Sequence, residues 1–77
     1  MSIVKTIKTK ETANDYNFVI VEDEFGWFHG AYQFLNRENE SIRLIGGAMN
    51  RNGYRTQAGA RRVINQTMKV DGLTVAR

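Results

Sequence analysis

The reactions open to a chain are bounded by its reactive side chains, and here they are few. Histidine occurs once, at His29, and cysteine not at all. A zinc site needs three or four nitrogen, sulfur or oxygen ligands at set spacings, and no HExxH-type pair is present. No metal or other cofactor is expected. Glu22-Asp23-Glu24 places carboxylates in a row, but without the alternating ligand spacing of an EF-hand loop, so the run reads as a solvated hairpin turn. Ser2 and Ser41, the only serines, sit in no nucleophile elbow. Gly46-Gly47 and Gly53 are followed by no Gly-Lys-Ser/Thr, so they form no phosphate loop. These observations argue against an enzyme.

Two kinds of binding chemistry remain. Basic residues gather around one C-terminal segment: Arg51 and Arg55 ahead of it, Arg61 and Arg62 in its first half, Lys69 at its end, with Arg43 upstream. Together they would make a patch for nucleic-acid phosphates, although exposed charges on a helix are ordinarily just solvated. The other chemistry is apolar. Phe18, Ile20, Phe28, Tyr32 and Phe34 alternate onto one sheet face; Val19, Val21, Trp27, Ala31, Leu35 and Ile45, joined by His29, fall on the opposite one. One helix covers one face. The second set is therefore expected to be a protein interface, carried by Val19, Val21, Trp27, His29, Leu35 and Ile45.

The elements that would position these residues are legible from periodicity. Ala60, Val63, Ile64, Thr67 and Met68 repeat at helical spacing, with Thr56 as a plausible N-cap, Lys69 suiting the last turn and Asp71-Gly72 as a stop. A helix of about 14 residues is marginal alone. Burying Val63, Ile64 and Met68, at about 1.5–3 kcal/mol each, must hold it. Tyr16–Glu22, Trp27–Leu35 and Glu40–Ile45 read as strands of a meander. Ser2–Thr9 reads as an edge strand, with lysines that discourage further pairing, and Leu73–Ala76 as a short closing strand. The turns fall at residues 10–15, 22–26 and 36–39, with a loop over 46–52 and Asn52-Gly53 turning into the helix. Gly30, inside a strand, marks a bulge or a close approach, expected to be of Gly59 or its helix. The fold class is α+β: an antiparallel three-stranded meander followed by one helix packed on one sheet face (β-β-β-α), with short extra strands at both termini.

Residues 1–77 make a single domain. A chain this short buries only about 60–65% of its unfolded surface, so dimerisation would help it. The formal net charge of +3 and pI near 9.6 are compatible with nucleic acid without indicating it. No apolar run reaches membrane-spanning length and no signal-peptide pattern opens the chain, so a cytoplasmic protein is the expectation.

The order of these elements resembles the YegP-like family of small bacterial domains of unknown function. The residues that carry the resemblance are Phe18, Asp23, Gly26, Phe28, Ile42, Gly53, Tyr54, Thr56, Gly59, Ala60 and Ile64, spread between Tyr16 and Lys69. The chain departs from that pattern where the Asn-Gly turn before the third strand is missing, where the loop 46–52 is longer, and where Gly30 replaces a large residue. The resemblance implies a β-β-β-α unit that occurs in tandem or pairs as a dimer. It implies no activity and no catalytic residues.

The expected function is a small non-enzymatic interaction module acting through its exposed sheet face, as a homodimer or with a protein partner. A phage or mobile-element inhibitor of a host factor would fit such a short chain. The alternative is a nucleic-acid-binding protein using the basic patch on and before the helix. Plant ethylene-response-type DNA-binding domains also combine three strands with a helix, but this sheet offers bases only Arg43, His29 and Gln33.

Overall fold

A computed structural model describes residues 1–36, 41–46 and 53–76. Among them are four strands and one helix: β1 (Ser2–Ile7), β2 (Tyr16–Glu22), β3 (Phe28–Phe34), β4 (Ile42–Leu44) and α1 (Gln57–Asp71). The strands form one antiparallel sheet in the order β1-β2-β3-β4, so the α+β architecture with one helix on one face is as expected. The N-terminal segment is a full fourth strand of this sheet. It lies beside β2 and does not fold across either face. Its register shifts between Ile3 and Lys5, a bulge that twists an edge away from further pairing.

Cross-strand partners share a face, and the β2–β3 register runs unbroken from Tyr16↔Phe34 to Glu22↔Phe28. Phe18, Ile20, Gly30 and Tyr32 thereby face the helix. The core there is Ile7, Phe18, Ile20, Ala60, Ile64 and Met68, with Tyr16, Phe28, Tyr32, Ile45, Tyr54 and Leu73 packed around it. Ile45 belongs to this side, which corrects its expected place on the open face. Beyond β4 the chain turns at Ile45 and Gly46 while the Ile45 N–H is bonded to the Gly30 carbonyl, and the Ile45 side chain comes to lie under α1.

Helix α1 is capped at both ends. Thr56 holds an extended backbone and its Oγ1 accepts from the Gly59 N–H at 3.3 Å. Gly72 adopts the left-handed conformation, its N–H reaching Lys69 O and that of Leu73 reaching Met68 O. This paired closure lets Leu73 pack on the core beside Met68. The helix crosses Gly30 as expected, through Ala60 and Ile64. A Cβ at Gly30 would stand 3.1 Å from Ile64 Cγ1 and 3.2 Å from Ala60 O. Gly59 instead admits Tyr54, whose Cβ would be 2.8 Å from a Cβ there.

The last residues return to the start of the chain. Val75 bridges Thr9, Lys10 N donates to Thr74 O at 3.0 Å, and Ala76 N donates to Lys8 O at 2.8 Å. Thr74 N also donates to Glu11 Oε1 at 2.7 Å, and this contact holds the Glu11 carboxyl below its ordinary range. Thr9 and Thr12, both buried, bond through their hydroxyls, and Thr12 Oγ1 donates to Tyr16 O. The closing strand expected at Leu73–Ala76 is thus a single bridge with flanking hydrogen bonds. The expected turn at residues 36–39 and loop at 46–52 lie largely outside the described residues, as does Arg51.

Candidate functional site

The sheet face turned away from α1 is less open than its apolar alternation implied. Val19, Val21 and Ala31 are wholly buried and form a second small core, with Ile42 and Leu44 packed against it. The register explains how they are covered. On the same face Ile3 and His29 pair with Val21, and Leu44 pairs with Ala31 and packs on this core with Ile42; Asn17 and His29 are themselves buried. Val19 and Val21 therefore present no surface to a partner, which corrects their assignment to an interface. Trp27 is half-buried and Leu35 is 45% exposed.

His29 is also buried, at 4% exposure, where a surface or interface residue was expected. Its environment explains the difference. His29 Nε2 donates to Asp23 Oδ2 at 2.7 Å, across the turn that joins β2 to β3. Asp23 Oδ1 accepts from Phe25 N at 2.8 Å and from Trp27 N at 3.0 Å. Backbone bonds add Gly26 N to Asp23 O and Asp23 N to Trp27 O. One carboxylate thus ties the whole 23–27 turn to a buried imidazole. The acidic run is not merely a solvated turn; Asp23 organises it, and Glu24 is the exposed member.

The imidazole is backed in turn by the segment entering α1. Phe28 and Tyr54 exchange two backbone hydrogen bonds of 2.7 Å, which brings Gly53 against His29. Arg55 follows, its guanidinium 5.4 Å from the centre of the Trp27 ring, a cation–π distance.

These contacts frame a shallow pocket of about 440 Å³. Its polar floor is Asp23 and His29; Met1, Phe25, Trp27 and Leu44 supply apolar walls, and Glu24 an acidic edge. Phe25 is 79% exposed and Met1 66%. The pocket offers a partner an aromatic anchor, an apolar recess and a negative edge. Its lining holds no Ser, Thr, Cys or Lys, and among the described residues no group of three or more His, Cys, Asp or Glu side chains is placed to hold a metal ion.

The Asp23 carboxyl lies below its ordinary range, first because of the His29 hydrogen bond and then because of the Trp27 and Phe25 N–H groups. A lowered folded-state value stabilises the fold above the unfolded carboxylate pKa, and that contribution is lost as pH falls through the folded value. Acidification below about pH 4 should therefore loosen the turn. The expected readout is a Trp27 fluorescence change that Asp23→Asn abolishes; an unaltered acid profile in Asp23→Asn would refute this linkage.

The basic residues are distributed over several elements. Arg43 is exposed on β4, on the helix side opposite Tyr32. Arg55 caps the Trp27 ring beside the pocket. Arg61 Nε donates to Asn65 Oδ1 at 3.0 Å, while Arg62 and Lys69 are exposed on α1. No ion pair with a carboxylate neutralises any of them among the described residues. No helix among these residues is long and apolar enough to cross a membrane.

The pocket combines residues that sequence reasoning holds apart. In the sequence Trp27 and His29 read as apolar-face residues and Asp23 as a turn residue, while Met1, Phe25 and Leu44 stand out as site residues only in the structure. Phe25 between Glu24 and Gly26 is the available signal, because a large aromatic at a turn tip gains nothing from burial there. No family model, no curated protein and no solved structure matches the chain.

Proposed function

We propose that the chain is a small non-enzymatic interaction module that associates with a second copy of itself through the 23–27 turn and the exposed apolar rim beside it. The observation that carries this reading is Phe25: a large aromatic, 79% exposed, on a turn fixed by three hydrogen bonds to Asp23. An aromatic held in place loses little entropy on binding, which is how interface anchors gain their affinity. A second copy is the occupant favoured by size, since 77 residues make a small core that extra burial would reinforce. A short, partly exposed apolar rim, with Met1 beside Phe25 and Ile3 on the edge strand β1, suits a compact two-fold contact better than a broad sheet-on-sheet one.

Sedimentation velocity across a concentration series tests this reading. A dimer is expected that Phe25→Ala weakens by about tenfold or more, as for an interface anchor, with the circular dichroism of the monomer unchanged. A strict monomer at millimolar concentration, or a dimer indifferent to Phe25→Ala, would sink it.

A second reading, nucleic-acid binding through α1, is favoured by the unneutralised Arg62 and Lys69 on one exposed helix face. Retention on heparin and on mixed-sequence DNA at low salt, lost in Arg62→Ala plus Lys69→Ala, is its expected result. Equal elution of the double variant would exclude it.

A further inference from the structure

A second concavity lies on the other side of the molecule, between α1 and the β4 edge. Its volume is about 490 Å³, within the range of small-ligand pockets. Ile45, Val63 and Val70 give it apolar walls, and Tyr32, Tyr54 and Asp71 give it polar groups. Asp71 occupies the last turn of α1, where the helix already ends in partial negative charge, and a carboxylate there is unfavourable. Among the described residues no cation neutralises it. Its field is felt across the groove: burial first, and then the Asp71 charge, pushes the Tyr32 hydroxyl above its ordinary pKa. Negative charge, phenol rings and a negative helix end meet in one open groove, whose lining also includes Gln66 and Thr67. A cation bound there would offset both the carboxylate and the helix end.

We propose that this groove binds a small organic amine, with a primary ammonium at Asp71 and a short apolar chain between Ile45, Val63 and Val70. Tyr32 and Tyr54 line the same groove beside Asp71. Arg43 is the cation nearest by register, opposite Tyr32 on the same face, but it is exposed and outside the groove lining. Were Arg43 to set the field, the groove would take a carboxylate instead.

Methyl chemical shifts of Ile45, Val63 and Val70 in the full chain report the test, with pentylamine, pentanol and pentanoate as matched probes. Saturable shifts are expected with pentylamine, about tenfold weaker with pentanol, and absent with pentanoate; Asp71→Asn should reduce pentylamine to the level of pentanol. Asp71 is exposed at a helix end, so this variant keeps the fold, and an unchanged amide spectrum away from the groove would verify that. Equal binding of the three probes, preference for pentanoate, or pentylamine binding unaffected by Asp71→Asn would overturn the proposal. Binding of N-acetyl-lysine amide without binding of pentylamine would overturn it too, in favour of a peptide-borne lysine.

Discussion

Replacing Gly53 with alanine should destabilise the domain by about 2–5 kcal/mol, combining a left-handed backbone penalty with steric overlap. Gly53 has φ of +69°, and a Cβ there would stand 2.6 Å from Phe28 O and 2.6 Å from His29 Cε1. The oxygen belongs to the backbone and accepts the Tyr54 N–H, so it cannot swing aside. The imidazole is buried and tied to Asp23. Relief would require moving the segment that leads into α1, and with it the Phe28–Tyr54 bridge. Gly72→Ala isolates the backbone share of this effect. Gly72 has φ of +68°, and no atom lies within 4 Å of the place its new methyl would take, so only about 1–2 kcal/mol is expected there. Urea unfolding of both variants reads the difference as a shift in midpoint at constant slope. Equal losses in the two variants would mean that Gly53 is needed for its conformation alone and that the His29 contact is slack.

Phe18→Ala carries the other large effect, a loss of about 3–5 kcal/mol. Phe18 is wholly buried at the centre of the helix-side core. Its ring meets Tyr16 edge-on at 5.5 Å and Tyr32 at 5.4 Å, and those two meet each other at 5.3 Å. Truncation leaves a cavity flanked by aromatics that lose partners together. A domain of this size is stable by only about 4–11 kcal/mol, so much of the folded population is at stake. The expected readout is a fall in melting temperature of roughly 12–40 °C, at about 4–8 °C per kcal/mol. Phe25→Ala, at the exposed turn, should change stability by no more than about 0.5 kcal/mol. A small loss in Phe18→Ala, comparable with that of Phe25→Ala, would mean that the aromatic cluster is not the core of the fold.

The glycine and the phenylalanine sit on opposite sides of what periodicity can report. Phe18 alternates with Val19 in a strand whose limits, Tyr16 and Glu22, are those observed. The face it shares with Ile20 is the face α1 covers. Thr56 caps the helix as its type and position suggest, and Gly72 closes it. Such features arise from interactions within a few residues, so spacing reveals them. The importance of Gly53 does not arise that way. Asn52-Gly53 reads as a turn in sequence, but what forbids a methyl there is a histidine far back along the chain, on β3. The Asp23–His29 bond depends likewise on a β2–β3 register that places the turn over the imidazole.

The open-face expectation failed for a related reason. Alternation says which way a side chain points; whether it is exposed depends on the width of its neighbours on adjacent strands. Val19, Val21 and Ala31 are short and central and are packed by Ile42 and Leu44 of the neighbouring strand, while Phe25, outside any strand, stays in solvent. Ile45 lies on the helix side because the β3–β4 register sets Arg43 opposite Tyr32, so alternation sends Ile42 and Leu44 to the far face and returns Ile45 to the helix side.

By itself the sequence determined the fold class, the extent of β2, the helix with its caps and the absence of cysteine chemistry, because local periodicity and residue type are sufficient causes of each. Only the tertiary structure decided which apolar residues remain exposed, that His29 is a buried partner of Asp23, and that Asp71 closes a groove with Tyr32 and Tyr54. Each of these depends on contacts between residues distant in the chain, and packing settles such contacts through shape and charge that no spacing rule encodes.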